Sequence, residues 1–255
     1  MATDDRKLSD EQFAKYRDEG HLTVPGVFTP QETDAAIADA HAWGDEFLCE
    51  LDDQQRAWYV DGATPNPNAL RKLDNPVFHR PLFRELAAHR RLLPLVEQLI
   101  GRGVSVYFSQ IFFKPPEGGG PKPVHQDNFY FGPNDLDGMV TVWIALDEAT
   151  VANGCLYYGN GTNRGPVVPH VAPPGEPFNL QIPAEIARQH PMSAAPVPKG
   201  GVSFHHGNTF HQSSANTSRH YRRAAAFHYV NHQTRFASPA LAYDTSIVVR
   251  ISEGG

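Results

Sequence analysis

The first hundred residues have the pattern of short helices bounded by capping residues. In a capping box, a Ser or Thr side chain and a Gln or Glu three residues later each bind the other residue's backbone N–H group. Two such boxes precede mixed apolar and polar runs, Ser9 with Gln12 and Thr29 with Glu32. A further apolar run covers residues 92–100, with a glycine behind it. We therefore predict a helical N-terminal part over about residues 1–103, interrupted by one extended segment, HLTVPGVF.

From residue 104 the pattern changes to short runs of β-branched and aromatic residues separated by Gly and Pro. These runs are VSVYFSQIFFK, VTVWIAL, GCLYY, GVSF, AAAFHYV and SIVV. Because they follow one another without helices in between, we expect antiparallel strands in a sandwich or barrel over about residues 104–255. Residues 159–200 are proline-rich and weakly periodic, which predicts a lid or binding loop. Without repeats or a linker, residues 1–255 are predicted to form a single domain.

Composition narrows the class of protein further. The chain has 255 residues, and 22 Lys and Arg against 28 Asp and Glu give a formal charge of −6. A mildly acidic chain without a basic block lacks the surface that binds phosphate backbones or anionic lipids, so we expect neither nucleic acid nor membrane as a partner. Cys49 and Cys155 are too far apart for a metal knuckle or redox pair, and the charged N-terminus lacks a signal-peptide core. Both features predict a cytoplasmic protein, whose oligomeric state the sequence leaves open.

The chain contains one His-x-Asp triplet, His125-Gln126-Asp127, placed after the loop EGGGPKP and before the aromatic run NFYF. If this run is a strand, residues i and i+2 point the same way, so the imidazole and the carboxylate converge on one side. Such a pair can bind a metal ion, although an isolated surface His-x-Asp is the simpler interpretation of the triplet alone. A metal site needs a third ligand from elsewhere.

The candidate third ligand is His211, in the segment GGVSFHHGNTFHQSS, where His205 and His206 compete for the role. Two histidines and one carboxylate leave adjacent coordination positions open, as in non-haem Fe(II) oxygenases, although zinc sites of this composition also exist. An oxygenase also needs a cation for the far carboxylate of its co-substrate, and Arg222 and Arg223 follow. Strand periodicity from His211 does not choose between these two arginines.

The segments HQD, NGCL, HQS and YRRA together resemble the phytanoyl-CoA dioxygenase (PhyH) family of Fe(II)- and 2-oxoglutarate-dependent oxygenases. FFKPPEGGGPKPVHQD and VWIALDEATVANGCL are most similar to the branch of phytanoyl-CoA dioxygenase domain-containing proteins. The resemblance covers most of the chain and implies a double-stranded β-helix, or jelly roll, flanked by helices. It also implies Fe(II), with 2-oxoglutarate as co-substrate and O₂ as oxidant.

The resemblance also implies individual roles. It assigns the metal to His125, Asp127 and His211, and it favours Arg222 over Arg223 as the anchor of the 2-oxoglutarate carboxylate. Further co-substrate contacts are implied for four residues: Ser213, Trp143, Gln110 and Lys72. One departure lies after the NGCL strand, where the family usually reads PGSH or PGTH. This chain has residues 160–163 as NGTN, which keeps the glycine of the turn.

The implied activity is hydroxylation of a small organic metabolite with release of succinate and CO₂. Halogenating relatives have a small residue in place of the carboxylate, so Asp127 favours hydroxylation over halogenation. Desaturation, epoxidation and ring closure would use the same residues and stay open as alternatives. Two alternatives from other classes are a zinc or manganese jelly-roll enzyme on the same triad and a non-catalytic module that binds small molecules. The zinc or manganese enzyme would have no use for Arg222 and Ser213, and a binding module would consume no 2-oxoglutarate.

Overall fold

The computed structural model describes residues 6–61, 69–173 and 179–254. Both predicted capping boxes are formed, and Gly20 ends the first helix in the left-handed conformation, with φ of 84°. A third capping box, Asp52 with Gln55, begins a helix that the sequence analysis did not predict. The N-terminal helices are α1 (Asp10–Glu19), α2 (Pro30–Glu50), α3 (Asp53–Tyr59), α4 (Pro76–His79), α5 (Pro81–Ala87) and α6 (Leu93–Ile100).

Eleven strands occur in the described part of the chain. They are β1 (His21–Val24), β2 (Lys72–Asp74), β3 (Val104–Lys114), β4 (Lys122–His125), β5 (Met139–Ala145), β6 (Leu156–Gly159), β7 (Met192–Ala195), β8 (Val202–His206), β9 (His211–Ser213), β10 (Arg222–Asn231) and β11 (Val249–Arg250). Two short helices, α7 (Asp127–Phe131) and α8 (Ala184–Ala187), lie between them.

The strands form two antiparallel sheets. The larger has the order β1-β8-β5-β10-β3-β11, with β2 also pairing with β3, and the smaller has the order β4-β9-β6-β7. Neighbours in both sheets are distant in sequence, as in a jelly roll, and a cavity lies between the sheets. The predicted fold class, a mainly β jelly roll with flanking helices, is confirmed.

The central strand β5 is buried along its whole length because both of its faces are covered. Its residues Val140, Val142 and Ile144 belong to the large apolar core that also contains the N-terminal helices. Thr141 and Trp143, the residues between them, line the cavity instead. Because side chains alternate along a strand, one face of the larger sheet packs in the apolar core and the other lines the cavity.

Four expectations differ from the structure. The N-terminal part contains one strand more than expected: the predicted extended segment forms β1, and the unpredicted β2 also joins the larger sheet. Residues 159–200 include a 3₁₀ turn, α8 and the sheet strand β7, and their positions 174–178 lie outside the described residues. Of the run SIVV, only Val249 enters a strand.

The fourth and most important difference concerns the triplet His125-Gln126-Asp127, which does not open a strand. His125 ends β4, whereas Asp127 begins α7, and Gly132 closes that helix in the left-handed conformation, with φ of 59°. The strand propensity of the aromatic residues is overridden by tertiary packing. Phe131 lies on Tyr107 and His228, with ring centroids 5.7 and 4.7 Å apart, and is buried there.

Candidate metal centre and co-substrate cavity

The structure brings His125, Asp127 and His211 together although they come from three separate elements. The Nε2 atoms of His125 and His211 lie 3.7 and 3.6 Å from the same oxygen of Asp127, Oδ1. One potential ligand atom from each residue lies within 4.8 Å of the other two, and all three residues are buried. The two histidines are direct partners in the register between β4 and β9, which places their rings 4.0 Å apart.

Both imidazoles are oriented by the same backbone device. His125 Nδ1 lies 2.8 Å from the carbonyl oxygen of Pro123, and His211 Nδ1 lies 2.9 Å from that of Thr209. A carbonyl can only accept, so each Nδ1 carries the proton and donates it, which leaves the Nε2 lone pair of each ring directed at the centre. Hydrogen bonding of the far nitrogen is the usual way in which a protein fixes a metal-binding histidine.

The charges also suit a cation. Burial, together with the neighbouring imidazole, lowers the pKa of His125 well below its usual value, and burial lowers the pKa of His211 as well. Both rings are therefore neutral and able to act as ligands near neutral pH. Burial alone would raise the pKa of Asp127, but the surrounding histidines His211, His205 and His228 outweigh it and hold that pKa well below its usual range. The buried cluster thus carries one unbalanced negative charge, and its donor set fits a divalent metal ion.

Arg222 lies at the same cavity, and Arg223 does not. Arg222 is 97% buried (3% exposed), with its guanidinium carbon 5.5 Å from the centre of the Trp143 ring. Its Nε and Nη1 atoms have no hydrogen-bond partner among the described residues. Burial lowers the pKa of Arg222 to about 10, which still leaves the guanidinium charged at neutral pH. An unpartnered buried guanidinium can bind a carboxylate group.

The other predicted co-substrate residues all line this cavity. The Trp143 ring faces the Arg222 guanidinium. Ser213 lies two residues after His211 on β9 and is buried. Lys72 and Gln110 meet at a residue that the sequence analysis missed, because each donates a 2.8 Å hydrogen bond to one carboxylate oxygen of Asp74. The register pairs Asp74 on β2 directly with Gln110 on β3. These two predicted residues therefore belong to a polar wall built around Asp74.

The second oxygen of Asp127 has its own partners, which sequence reasoning also missed. Thr141 donates a 2.6 Å hydrogen bond to Oδ2, and His205 Nε2 lies 3.1 Å from the same atom. His206, the other competitor for the ligand role, instead forms a hydrogen bond with Asp137 at 2.9 Å. The sequence could have indicated Thr141, because it precedes Trp143 by two positions on one strand and therefore lies on the same face of the sheet.

Gln126, between His125 and Asp127, attaches the following loop to the site. It is fully buried, and its side-chain nitrogen donates to the carbonyl oxygens of Pro166 and Asn208 at 3.1 and 2.9 Å. Its side-chain oxygen accepts from Val168 N at 2.9 Å, and its backbone N–H donates to His170 Nε2. The first part of the predicted binding loop is therefore attached directly to the segment that carries His125 and Asp127.

The cavity has a volume of about 970 Å³, at the upper end for small-molecule sites. One wall is aromatic and includes Phe108, Phe131 and the half-buried Tyr243, whose ring lies 5.4 and 5.1 Å from the other two. Phe129, in contrast, stacks on His170, with ring centroids 4.0 Å apart. The turn NGTN survives without its proline, because Gly161 adopts φ of 78°.

A jelly roll that holds two neutral imidazoles and one carboxylate at a cavity has the architecture of the non-haem iron oxygenases. Residues 16–224 match the family described as "Phytanoyl-CoA dioxygenase (PhyH)", so the chain belongs to this family. It is an Fe(II)- and 2-oxoglutarate-dependent oxygenase that uses O₂. No helix in the described ranges is long and apolar enough to cross a membrane.

Relatives with known names support the same branch of the family. The chain is 30% identical to phytanoyl-CoA dioxygenase domain-containing protein 1 of Bos taurus, with 87% of this chain and 89% of that protein covered. It is 26% identical to the protein of the same name from Danio rerio, covering 91% and 93%. Its fold is similar to that of EctD from S. alaskensis, solved with 2-oxoglutarate and 5-hydroxyectoine. The TM-score is 0.75, with 22% identity over 100% of this chain and 88% of that one.

Proposed function

We propose that His125, Asp127 and His211 bind the Fe(II) ion, that Arg222 binds the far carboxylate of 2-oxoglutarate, and that the enzyme hydroxylates a small organic molecule. The observation that carries these assignments is the unpartnered guanidinium of Arg222 in the cavity that also contains the triad. A zinc or manganese enzyme on the same triad would have no need for this buried cation.

Each cavity residue has a definite task in this proposal. The two histidines present Nε2 because Pro123 and Thr209 accept their Nδ1 protons. The Trp143 ring supports the Arg222 guanidinium from one side, where the cation and the aromatic face attract each other. Ser213 adds a hydroxyl donor for the same carboxylate, and the walls of the cavity exclude water that would waste the oxidant. When bound, the iron, 2-oxoglutarate and O₂ supply the oxidising chemistry, which yields succinate, CO₂ and a hydroxylated substrate.

The substrate portion of the cavity is supported by its aromatic wall. Phe108, Phe131 and Tyr243 offer ring faces and edges to an apolar group rather than paired charges. Tyr243 belongs to the segment of residues 241–247, which lines the cavity but lies beyond the family match at 16–224. A substrate with a ring or another flat apolar part therefore fits this wall, of which Phe108 and Phe131 lie inside the matched region and Tyr243 lies outside it.

Anaerobic titration with Fe(II) followed by 2-oxoglutarate tests the proposal before any substrate is known. We expect the weak visible charge-transfer band of an iron-chelated 2-oxo acid, and slow succinate release once O₂ is admitted. His211→Gln should abolish the band because it removes one of three ligands. His206→Gln is the matched control and should retain the band, since His206 bonds Asp137 and not the centre. A wild-type protein that binds iron but neither gives the band nor consumes 2-oxoglutarate would contradict the proposal and leave a binding module or a zinc or manganese enzyme.

A further inference from the structure

The two carboxylate oxygens of Asp127 have different partners, and those of Oδ2 come from neighbouring strands. Oδ1 faces the two histidines of the triad, whereas Oδ2 receives Thr141 Oγ1 at 2.6 Å and His205 Nε2 at 3.1 Å. Thr141 on β5 is the direct register partner of both His205 on β8 and His228 on β10. The three side chains thus form one row across the cavity face of the larger sheet.

The direction of each hydrogen bond in this row follows from the carboxylate. An ionised carboxylate only accepts, so the Thr141 hydroxyl donates to Asp127 and is itself available only as an acceptor. His228 Nδ1, 2.9 Å from Thr141 Oγ1, therefore carries a proton and donates it to that oxygen. On the other side, His205 donates through Nε2–H, which leaves its Nδ1 as an acceptor.

A second sheet completes the arrangement on the His205 side. Tyr158, on β6 of the smaller sheet, has its hydroxyl 3.0 Å from His205 Nδ1 and 2.8 Å from Ser203 Oγ. Since Tyr158 must donate to His205, Ser203 donates to Tyr158. The hydrogen bonds on both sides are therefore directed towards Asp127 Oδ2. On one side Ser203 donates to Tyr158, which donates to His205, and on the other side His228 donates to Thr141. Tyr158 and Ser203 are fully buried, and Thr141 and His205 are at most 2% exposed.

We infer that Thr141 and His205 are positioning residues that occupy Oδ2 and so leave only Oδ1 of Asp127 for the metal ion. The inference rests on the proposed iron site and explains why two further buried histidines surround a centre that needs only two. A carboxylate that binds through one oxygen preserves the open positions that a bidentate co-substrate and O₂ require. Without the donors, both oxygens would be free to bind the ion and one such position would be lost.

Co(II), whose visible absorption reports coordination number, probes the inference without turnover. Thr141→Val removes the donor at constant shape, and we expect a 10- to 100-fold weaker Co(II) affinity with an altered visible spectrum. Thr141→Ser keeps the hydroxyl and should restore both. Tyr158→Phe, which removes the group that fixes the His205 tautomer, should give a smaller loss. Wild-type-like affinity and spectrum in Thr141→Val would overturn the inference, whereas failure of the wild type to bind Co(II) would overturn the proposed iron site.

The histidine tautomers provide a second measurement that needs only the wild-type protein. Nitrogen-15 NMR of the Zn(II)-loaded enzyme should find His205 protonated at Nε2 and His228 protonated at Nδ1. The opposite tautomer at either ring would reverse a donor and contradict the arrangement. His205→Gln should weaken Co(II) binding no more than Thr141→Val does. A loss as complete as that of His211→Gln would make His205 a metal ligand and refute its positioning role.

Discussion

Arg222 and Arg223 are consecutive on β10, yet their guanidinium groups lie on opposite faces of the larger sheet. Arg222 faces the cavity over Trp143. Arg223 faces outward and donates from Nε and Nη2 to both carboxylate oxygens of Asp147, at 2.6 and 2.9 Å. Because side chains alternate along β10, the Arg223 guanidinium is hydrogen-bonded within the protein, whereas that of Arg222 remains available to a ligand.

We predict that Arg222→Gln raises the KM for 2-oxoglutarate roughly 10- to 150-fold, the equivalent of about 1.5–3 kcal/mol for hydrogen bonds to a charged group. Initial rates of succinate formation at varied 2-oxoglutarate concentration measure this. Arg223→Gln is the matched control, because it removes the same charge one residue away. It should leave the KM unchanged and lower only the stability, through loss of the bond to Asp147. Equal effects of the two variants on KM would show that the cavity-facing arginine is not the anchor.

A second prediction concerns Lys114, the direct partner of Arg222 in the register between β10 and β3. Its ammonium is buried and donates to the carbonyl oxygens of Gly120 and Ser214. Burial, and then the charge of Arg222, lower the pKa of Lys114 from 10.5 to about 6, although Asp61 and Cys155 act in the opposite direction. Between these pH values the unfolded chain binds the proton more strongly than the folded one.

Folding stability therefore contains a penalty from Lys114 that is complete below pH 6 and declines as the pH rises towards 10. Urea unfolding of the wild type and Lys114→Met at pH 6.5, 7.5 and 8.5 measures it. We expect the stability of the wild type relative to the variant to increase with pH, by at most about 1.4 kcal/mol per pH unit. Lys7→Met, at an exposed position, provides the baseline for loss of a lysine. A difference between wild type and Lys114→Met that does not change with pH would contradict the lowered pKa.

The sequence predicted the parts of the site that depend on local motifs. His125, Asp127 and His211 could be predicted because they stand in short sequence motifs that resemble those of the family. The Thr141, His205 and His228 row could not be predicted, because it exists only through the register of three strands far apart in the chain. The strand predicted at the His125 triplet is wrong for a similar reason. Five residues are too few for periodicity to decide between helix and strand, and the packing of Phe131 decides it.

Gln126 illustrates the same limit and leads to a third prediction. Its side chain satisfies three backbone groups, at Pro166, Val168 and Asn208, none of which is near it in sequence. Gln126→Ala should lower the free energy of unfolding by about 1–3 kcal/mol for each buried group left unpaired. It should also speed proteolytic cleavage within residues 159–173. Gln126→Glu keeps the acceptor for Val168 but turns a buried carboxylate oxygen towards the carbonyl oxygens of Pro166 and Asn208, so it should destabilise the protein at least as much as Gln126→Ala. Unaltered cleavage in the alanine variant would mean that the loop is held by other contacts.

The last prediction concerns the aromatic wall and therefore substrate choice. Tyr243 packs against Phe108 and Phe131 but lies in the segment 241–247, which ends in a 3₁₀ turn outside the region matched by the family. We expect Tyr243→Ala to lower kcat/KM for a ring-containing substrate by roughly 10- to 100-fold, since an aromatic pair contributes about 0.5–1.5 kcal/mol beyond the buried area of the ring. Tyr243→Phe keeps the ring and should retain most of the activity. The ratio of 2-oxoglutarate consumed to product formed, measured by chromatography, should rise in the alanine variant because a loosely held substrate is oxidised less often. A ratio unchanged by Tyr243→Ala, with kcat/KM also preserved, would place the substrate against the polar wall around Asp74 instead.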